Sequence, residues 1–501
     1  MSFDDAQGYI VLSTIAIPLL AALVLVLLPG ERKMESRYIS LITGAIVLGL
    51  SVYIFAAYQV DGANYQMHLR WMWIENTAFL GKNGITLYLG VDGISAPLGL
   101  LNGLVAFSGA LVAWKIDYRP KQFFILYWIF MAGVFGTFFS LDLFFFFFFY
   151  ELATMPLYLL IGVWGSVRKE YGAMKLTMML IGGSSLLWIA IFAVFHDANL
   201  GTFDLTALWN AGQHGAFSPT FQKVFFPMFV IGCGFHAALW PVHTWSPDGH
   251  GAAPTTVSML AAGVLMKFGG FGIIRLGIQL LPAGAAFWMP GLMVLGVIGA
   301  VYGAVAALTQ KDYKLLSGYS SISHMGYVMM GLATMNQIGI TGSVMQMFSH
   351  GVMTALFFLC IGVLYDQAHT RNLPDFGGIA RKMPVWAIFF TIAGFTGVGL
   401  PGLSGFIAEF HIFVGVFRTY PIFGALAILA AAFAAGYVFR MFATVFYGPF
   451  NPRWEKLKDI SPVEGVAATI LVLAIIAMGV YWSPFTDRIG PTVALLPGLV
   501  H

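Results

Sequence analysis

Apolar runs of about 20 residues recur from one end of this chain to the other, separated by short polar breaks. That is the length at which an α-helix crosses a hydrocarbon core about 30 Å thick, where each backbone N–H and C=O must be bonded inside the segment. The ten-residue alternating strands of a membrane barrel do not fit this pattern. Of 501 residues, 59% are hydrophobic and 9% charged, against about a quarter charged in soluble domains. An all-α integral membrane protein is therefore expected, with no room for a soluble domain. The net charge of +3 and the lack of a basic face interleaved with aromatics argue against nucleic acid.

Apolar length and breaker residues predict about fourteen spans, near 8–29, 38–59, 91–114, 122–140, 143–164, 173–195, 222–243, 254–276, 288–309, 316–334, 338–365, 384–417, 422–447 and 464–483. The twelfth is too long for one straight helix and holds Gly394, Gly397, Gly399, Pro401, Gly402 and Gly405, so it is expected to be broken. The eighth, with Gly263, Gly269, Gly270 and Gly272 around Lys267, invites the same reading. Arg32, Lys33, Lys115, Arg119, Lys311, Lys314, Arg371, Lys382 and Lys456 fall on one side, while few basic residues, such as Arg70, Lys82 and Arg488, fall on the other. By the positive-inside rule the first side is cytoplasmic, and an even number of spans places both termini outside. The acidic start, Met1 to Gln7, lacks a basic n-region, so the first run reads as a retained span. Segment 60–90 reads as a long connection with Trp71, Trp73 and Tyr88 as interfacial anchors, and the run Phe144 to Phe149 as packing or lipid-facing surface.

Against this apolar background the ionisable residues inside spans stand out, because each costs about 2.5 to 3.5 kcal/mol on insertion scales and is retained mainly where it faces water or a partner. Lys267 lies in the interior of the eighth span, about two turns from the nearer end, too deep to snorkel readily. Burial disfavours its charged form and a nearby carboxylate favours it, so a partner that moves can switch its proton. Glu151 lies in the fifth span and Glu409 in the twelfth, after the expected break. Acids and a lysine spread along the membrane plane suit a lateral proton relay. His324 and His350 are further candidates at mid-depth; each could carry protons near neutral pH or simply bond a carbonyl. His236, His243 and His250 are spaced by seven, but Pro241 and Pro247 interrupt the helix and no cysteine or placed carboxylate completes a metal ligand set. Asp92 and Asp142, near span ends, read as capping carboxylates. Two cysteines, Cys233 and Cys360, cannot ligate an iron–sulfur cluster by themselves, and no Gly-x-Gly-x-x-Gly follows a strand, so redox chemistry would belong to partners. No repeat of 20 to 50 residues is visible; a weak symmetry relates the Gly-rich segment around Lys267 and Arg275 to the one before Glu409 and Arg418.

One stretch carries a resemblance. Pro241-Val242-His243-Thr244-Trp245-Ser246-Pro247-Asp248-Gly249-His250, followed by Ala253-Pro254 and Ser258 to Lys267, resembles the signature of the antiporter-like membrane subunits of respiratory complex I, shared with Mrp-type sodium/proton antiporters. The likeness continues through Val91 to Ser95, Glu151, Ser320 to Gly326, His350 and Leu400 to Glu409. It implies two inverted five-helix repeats, about 121–285 and 286–448, flanked by three spans in 1–120 and by a cytoplasmic loop and last span in 449–501. It also implies a proton route through a fifth-span glutamate, a seventh-span lysine, an eighth-span lysine and a twelfth-span residue. Glu151, Lys267 and Glu409 match the first, third and fourth, and a glutamate at the last position is that of the M-type subunits (mitochondrial chain 4). The second differs: seven residues before His243 stands His236. His236 is expected to carry the proton there, with His324 or His350 between Lys267 and Glu409. The implied function is a proton-translocating subunit of NADH:quinone oxidoreductase in a bacterial inner membrane, beside other antiporter-like subunits, with FMN and iron–sulfur clusters on partner chains and no cofactor or metal on this one. A cation/proton antiporter subunit and a non-pumping membrane scaffold are the rival readings.

Overall fold

In the computed structural model, residues 3–60, 65–75 and 84–500 are described. Met1, Ser2, Lys82 and His501 lie outside them, and with these the readings that rest on the two chain ends. The helices are α1 (Phe3–Leu27), α2 (Lys33–Ala57), α3 (Ser95–Val112), α4 (Pro120–Phe139), α5 (Leu143–Trp164), α6 (Lys169–Ala198), α7 (Leu205–Gln213), α8 (Pro219–His236), α9 (Trp245–Ala252) and α10 (Thr255–Ile278). They continue with α11 (Pro282–Thr309), α12 (Tyr313–Ala333), α13 (Gln337–Ala368), α14 (Pro384–Val398), α15 (Ser404–Thr419), α16 (Pro421–Val445), α17 (Pro462–Val480) and α18 (Ser483–Ala494). Among the described residues, eleven helices are long and apolar enough to cross a membrane. The three remaining expected spans are helical too: α8 and α12 are more polar, and the twelfth is divided into α14 and α15.

Burial sorts these helices into a centre and a rim. The most apolar stretches of α10 and α13 are wholly buried, whereas those of α1, α2, α6 and α16 bury only a third or so of their residues and leave the rest on the surface of the chain. The two central helices meet at glycines. A Cβ on Gly351 would lie 2.6 Å from the Gly263 carbonyl oxygen, so only hydrogen allows this approach. Asp142 caps α5 by accepting from Phe144 N (2.9 Å) and Phe145 N (3.1 Å), as its place at a span end suggests.

Four features differ from the sequence expectations. Segment 60–90 holds an antiparallel hairpin, β1 (Gln66–Ile74) paired with β2 (Ile85–Val91), in register Trp71↔Leu87; Trp71 and Trp73 are exposed on it. The hairpin's backbone closes on α1, where a Cβ on Gly8 would meet the His68 carbonyl. The eighth span is not broken: α10 runs through, with π-turns at Ala261–Leu265 and Ile273–Ile278 on either side of Lys267. The second break falls instead in the seventh span, between α8 and α9, where Pro241 and the polar elbow stand. Past the last span, α18 was not anticipated; its Thr492 Oγ1 accepts from Gly93 N at 3.1 Å.

Candidate functional site

The geometry around Lys267 follows from the π-turn that precedes it. A π-turn widens the helix and shifts its hydrogen-bond register, which is why such turns recur at functional sites. The Lys267 side chain folds back to donate to the Ala262 carbonyl, within the widened turn. Its Nζ lies 2.7 Å from His350 Nδ1, and the residue is fully buried. The Gly263–Gly351 crossing sets this distance, since it brings α10 and α13 together one turn from Lys267 and one residue from His350. Among the described residues the Lys267 amine meets no carboxylate; its partners are an imidazole and a backbone carbonyl.

From His350 the polar groups continue across the bundle. The rings of His350 and His324 are 5.4 Å apart between centroids. His324 Nδ1 lies 3.3 Å from Glu409 Oε1, and Gln346 Nε2 donates to the same carboxylate oxygen at 3.3 Å. All are buried: Glu409 is 4% exposed, the histidines 1%. The break between α14 and α15 aims Glu409 at this cluster. Gly399 closes α14 with φ +77°, and a Cβ there would come within 2.9 Å of Glu409 Oε2; one on Gly405 would strike the Thr396 carbonyl. Four of the six residues singled out from the sequence, Lys267, His350, His324 and Glu409, thus form one buried line drawn from four helices. The outer ring nitrogens of His324 and His350, and both nitrogens of His250, are buried with no bonded partner among the described residues.

The other two stand apart from the line. His236 is wholly buried with its nitrogens engaged, Nδ1 at 2.5 Å from Tyr150 Oη and Nε2 at 3.1 Å from Thr154 Oγ1. The Phe268 ring, whose residue follows Lys267 in the chain, lies 6.1 Å from the imidazole between centroids. Glu151 faces the opposite side of α5, into a surface groove formed by Phe144, Phe147, Phe148, Leu152, Met155 and Trp188. Its Oε1 is buried there without a bonded partner among the described residues. His243 packs on Tyr302 and His250 on Phe358, so the three histidines spaced by seven do not converge.

A family model described as the transmembrane region of NADH:quinone oxidoreductase/Mrp antiporter subunits matches residues 140–434. The chain belongs to this family. Among curated relatives, NAD(P)H-quinone oxidoreductase chain 4 of Gloeobacter violaceus is 35% identical over 95% of this chain and 90% of its own length. A chain 4 of Synechococcus elongatus is 35% identical over 93% and 87%. Among solved structures, a chain of respiratory complex I from Thermus thermophilus superposes with TM-score 0.86 at 27% identity, covering 96% of this chain and 98% of that one. A chain of the Mrp complex from Dietzia shares the fold, with TM-score 0.85 at 19% identity over 98% and 97%. The family expected from the signature around His243 therefore holds.

Sequence reasoning missed several participants. Gln346 is one turn before His350 on α13, and that four-residue spacing was the available signal. Tyr150 and Thr154, which hold His236, gave none. Asp92 accepts from Ser95 N, at the start of α3, at 2.8 Å and pairs with Arg275 at 2.5 Å; Arg275 and Gln279 further bond Tyr65 Oη, at 3.2 and 2.9 Å. This buried cluster ties the end of α10 to the hairpin and to α3.

Proposed function

We propose that this chain is a proton-translocating membrane-arm subunit of an NADH:quinone oxidoreductase. The observation that carries the reading is the buried line Lys267–His350–His324–Glu409, whose neighbours stand at 2.7 Å, 5.4 Å between ring centroids, and 3.3 Å. Ionisable groups are rarely retained at bilayer depth without such a role. Placing both histidines in series between the lysine and the acid gives a proton two imidazole stations where the sequence reading required one.

In this mechanism a proton enters from the cytoplasmic side and loads Lys267. The line then hands it from ammonium to imidazole to carboxylate, each transfer governed by the charge of the next group. A charge change in a neighbouring subunit, sensed at Glu151 on the flank, sets when Lys267 holds its proton. Glu409 releases it toward the outer side. Electron transfer, with FMN and iron–sulfur clusters, belongs to partner chains, consistent with the only two cysteines being buried thiols in spans. The two breaks support the inverted repeats 121–285 and 286–448, because each falls in the fourth span of its repeat.

Replacing Lys267 by Ala in the assembled complex tests this. Quinone-reductase turnover with a lowered proton-to-electron ratio is expected; an unchanged ratio sinks the proposal. Full burial of Lys267 against His350 counts against a passive scaffold, in which the lysine would turn to lipid. Glu409 at the end of the line counts against an Mrp-type cation/proton antiporter, and sodium transport without quinone reduction would revive that rival.

A further inference from the structure

We infer that His236 is the uncharged latch of an aromatic seal between Lys267 and Glu151, so that a proton on Lys267 has one lateral way on, toward His350. The inference rests on the translocation reading above and departs from the expectation that His236 itself carries the proton.

The hydrogen atoms can be assigned one by one. Thr154 Oγ1 gives its single proton to the Tyr150 carbonyl at 2.9 Å, so toward His236 Nε2, at 3.1 Å, it only accepts. Nε2 therefore carries the ring hydrogen. Nδ1 of the neutral ring is then the acceptor, and Tyr150 Oη, at 2.5 Å, donates to it. The sequence of bonds ends on a backbone carbonyl, which cannot pass a proton further. A second proton on the ring would oblige Tyr150 to accept instead of donate and would strand its own hydroxyl hydrogen.

Among the described residues the titratable groups nearby offer no alternative partner. Glu151, next to Tyr150, points into the flank groove, and Cys233 is a buried thiol. Around the latch the rings close up: Tyr150 lies 4.2 Å from His236 and 5.2 Å from Phe268 between centroids, and Phe138 meets Phe268 edge-on at 5.5 Å. Phe268 directly follows Lys267, so the seal is attached to the station it isolates.

The test uses the whole complex in proteoliposomes and reads protons moved per electron. His236→Gln keeps an acceptor and a donor, its carbonyl and its amide, in an uncharged side chain, and is expected to show no loss. His236→Lys, a cation with no acid facing it, is expected to lower the ratio. Tyr150→Ala is expected to keep turnover and lose part of the ratio by leakage, with Tyr150→Phe restoring it. An assembled His236→Gln complex that turns over without pumping overturns the inference, as does parental pumping by His236→Lys. Should the Gln variant not assemble, equal ratios for Tyr150→Ala and Tyr150→Phe overturn it. Lys267→Ala run in parallel separates the two readings: if it pumps normally the route itself fails, whereas its loss together with loss in His236→Gln removes only the seal.

Discussion

Lys267 has an imidazole where a buried lysine would ordinarily need a carboxylate. The consequence is a station whose charge is set by a neighbour that can itself take the proton, 2.7 Å away. Glu409→Gln should therefore interrupt the line at its far end: the complex assembles and turns over, and the proton-to-electron ratio falls as in Lys267→Ala. A parental ratio in Glu409→Gln would remove the acid from the route. Arg275 illustrates a different use of buried charge. Its guanidinium and Asp92 are 4% and 1% exposed and lie 2.5 Å apart, so the pair is sealed from water. Arg275→Gln leaves the carboxylate without its counter-ion, and about 3–5 kcal/mol of destabilisation is expected. Thermal unfolding of the detergent-purified complex would show it as an early loss of this subunit; an unaltered melting curve would mean the pair is dispensable.

At the scale of elements, two helix distortions do the positioning. The π-turns of α10 present Lys267 to α13, and the α14/α15 break presents Glu409 to α12. Both depend on glycine for a stated reason. Gly351→Leu would drive a side chain into the Gly263 carbonyl and Leu101, and such overpacking costs about 1–3 kcal/mol while moving His350 away from Lys267. Gly399→Ala places a Cβ at φ +77°, a strain of about 1–2 kcal/mol, and crowds Glu409 Oε2. For Gly399→Ala the expected result is normal assembly with weakened pumping, measured by proton uptake into proteoliposomes. Full activity would show that the acid tolerates displacement. The sequence marked the break at Gly399 to Gly405 because Gly399, Pro401, Gly402 and Gly405 interrupt an overlong run. It misplaced the other break, since glycines around Lys267 signal close helix approach as readily as interruption, and α10 uses them for packing against Ala237 and Met347.

For the whole molecule, the lopsided distribution of lysine and arginine sets the proposed orientation. Lys115, Asp366 and Glu464 join three segments on the side that carries Arg371 and Lys456, while α18 and the hairpin cover the other side. Lys456 and Asp487 are both exposed, and the native cysteines are buried, so each position can be labelled alone. A thiol reagent that cannot cross membranes should modify Asp487→Cys in intact cells and Lys456→Cys only after permeabilisation. The reverse pattern would invert the molecule and the direction of proton entry.

Sequence by itself determined the membrane class, the positions of the spans, and the ionisable residues to suspect. Those properties are set by chain length against bilayer thickness and by the high cost of charge in hydrocarbon, and both read off a linear string. Only the tertiary structure decided which of those residues form one line. Lys267, His350, His324 and Glu409 come from four different helices and meet because glycines let backbones touch. Glu151 and His236, equally prominent in the string, are turned elsewhere by the opposite faces of α5 and by hydroxyl partners that no spacing rule announces.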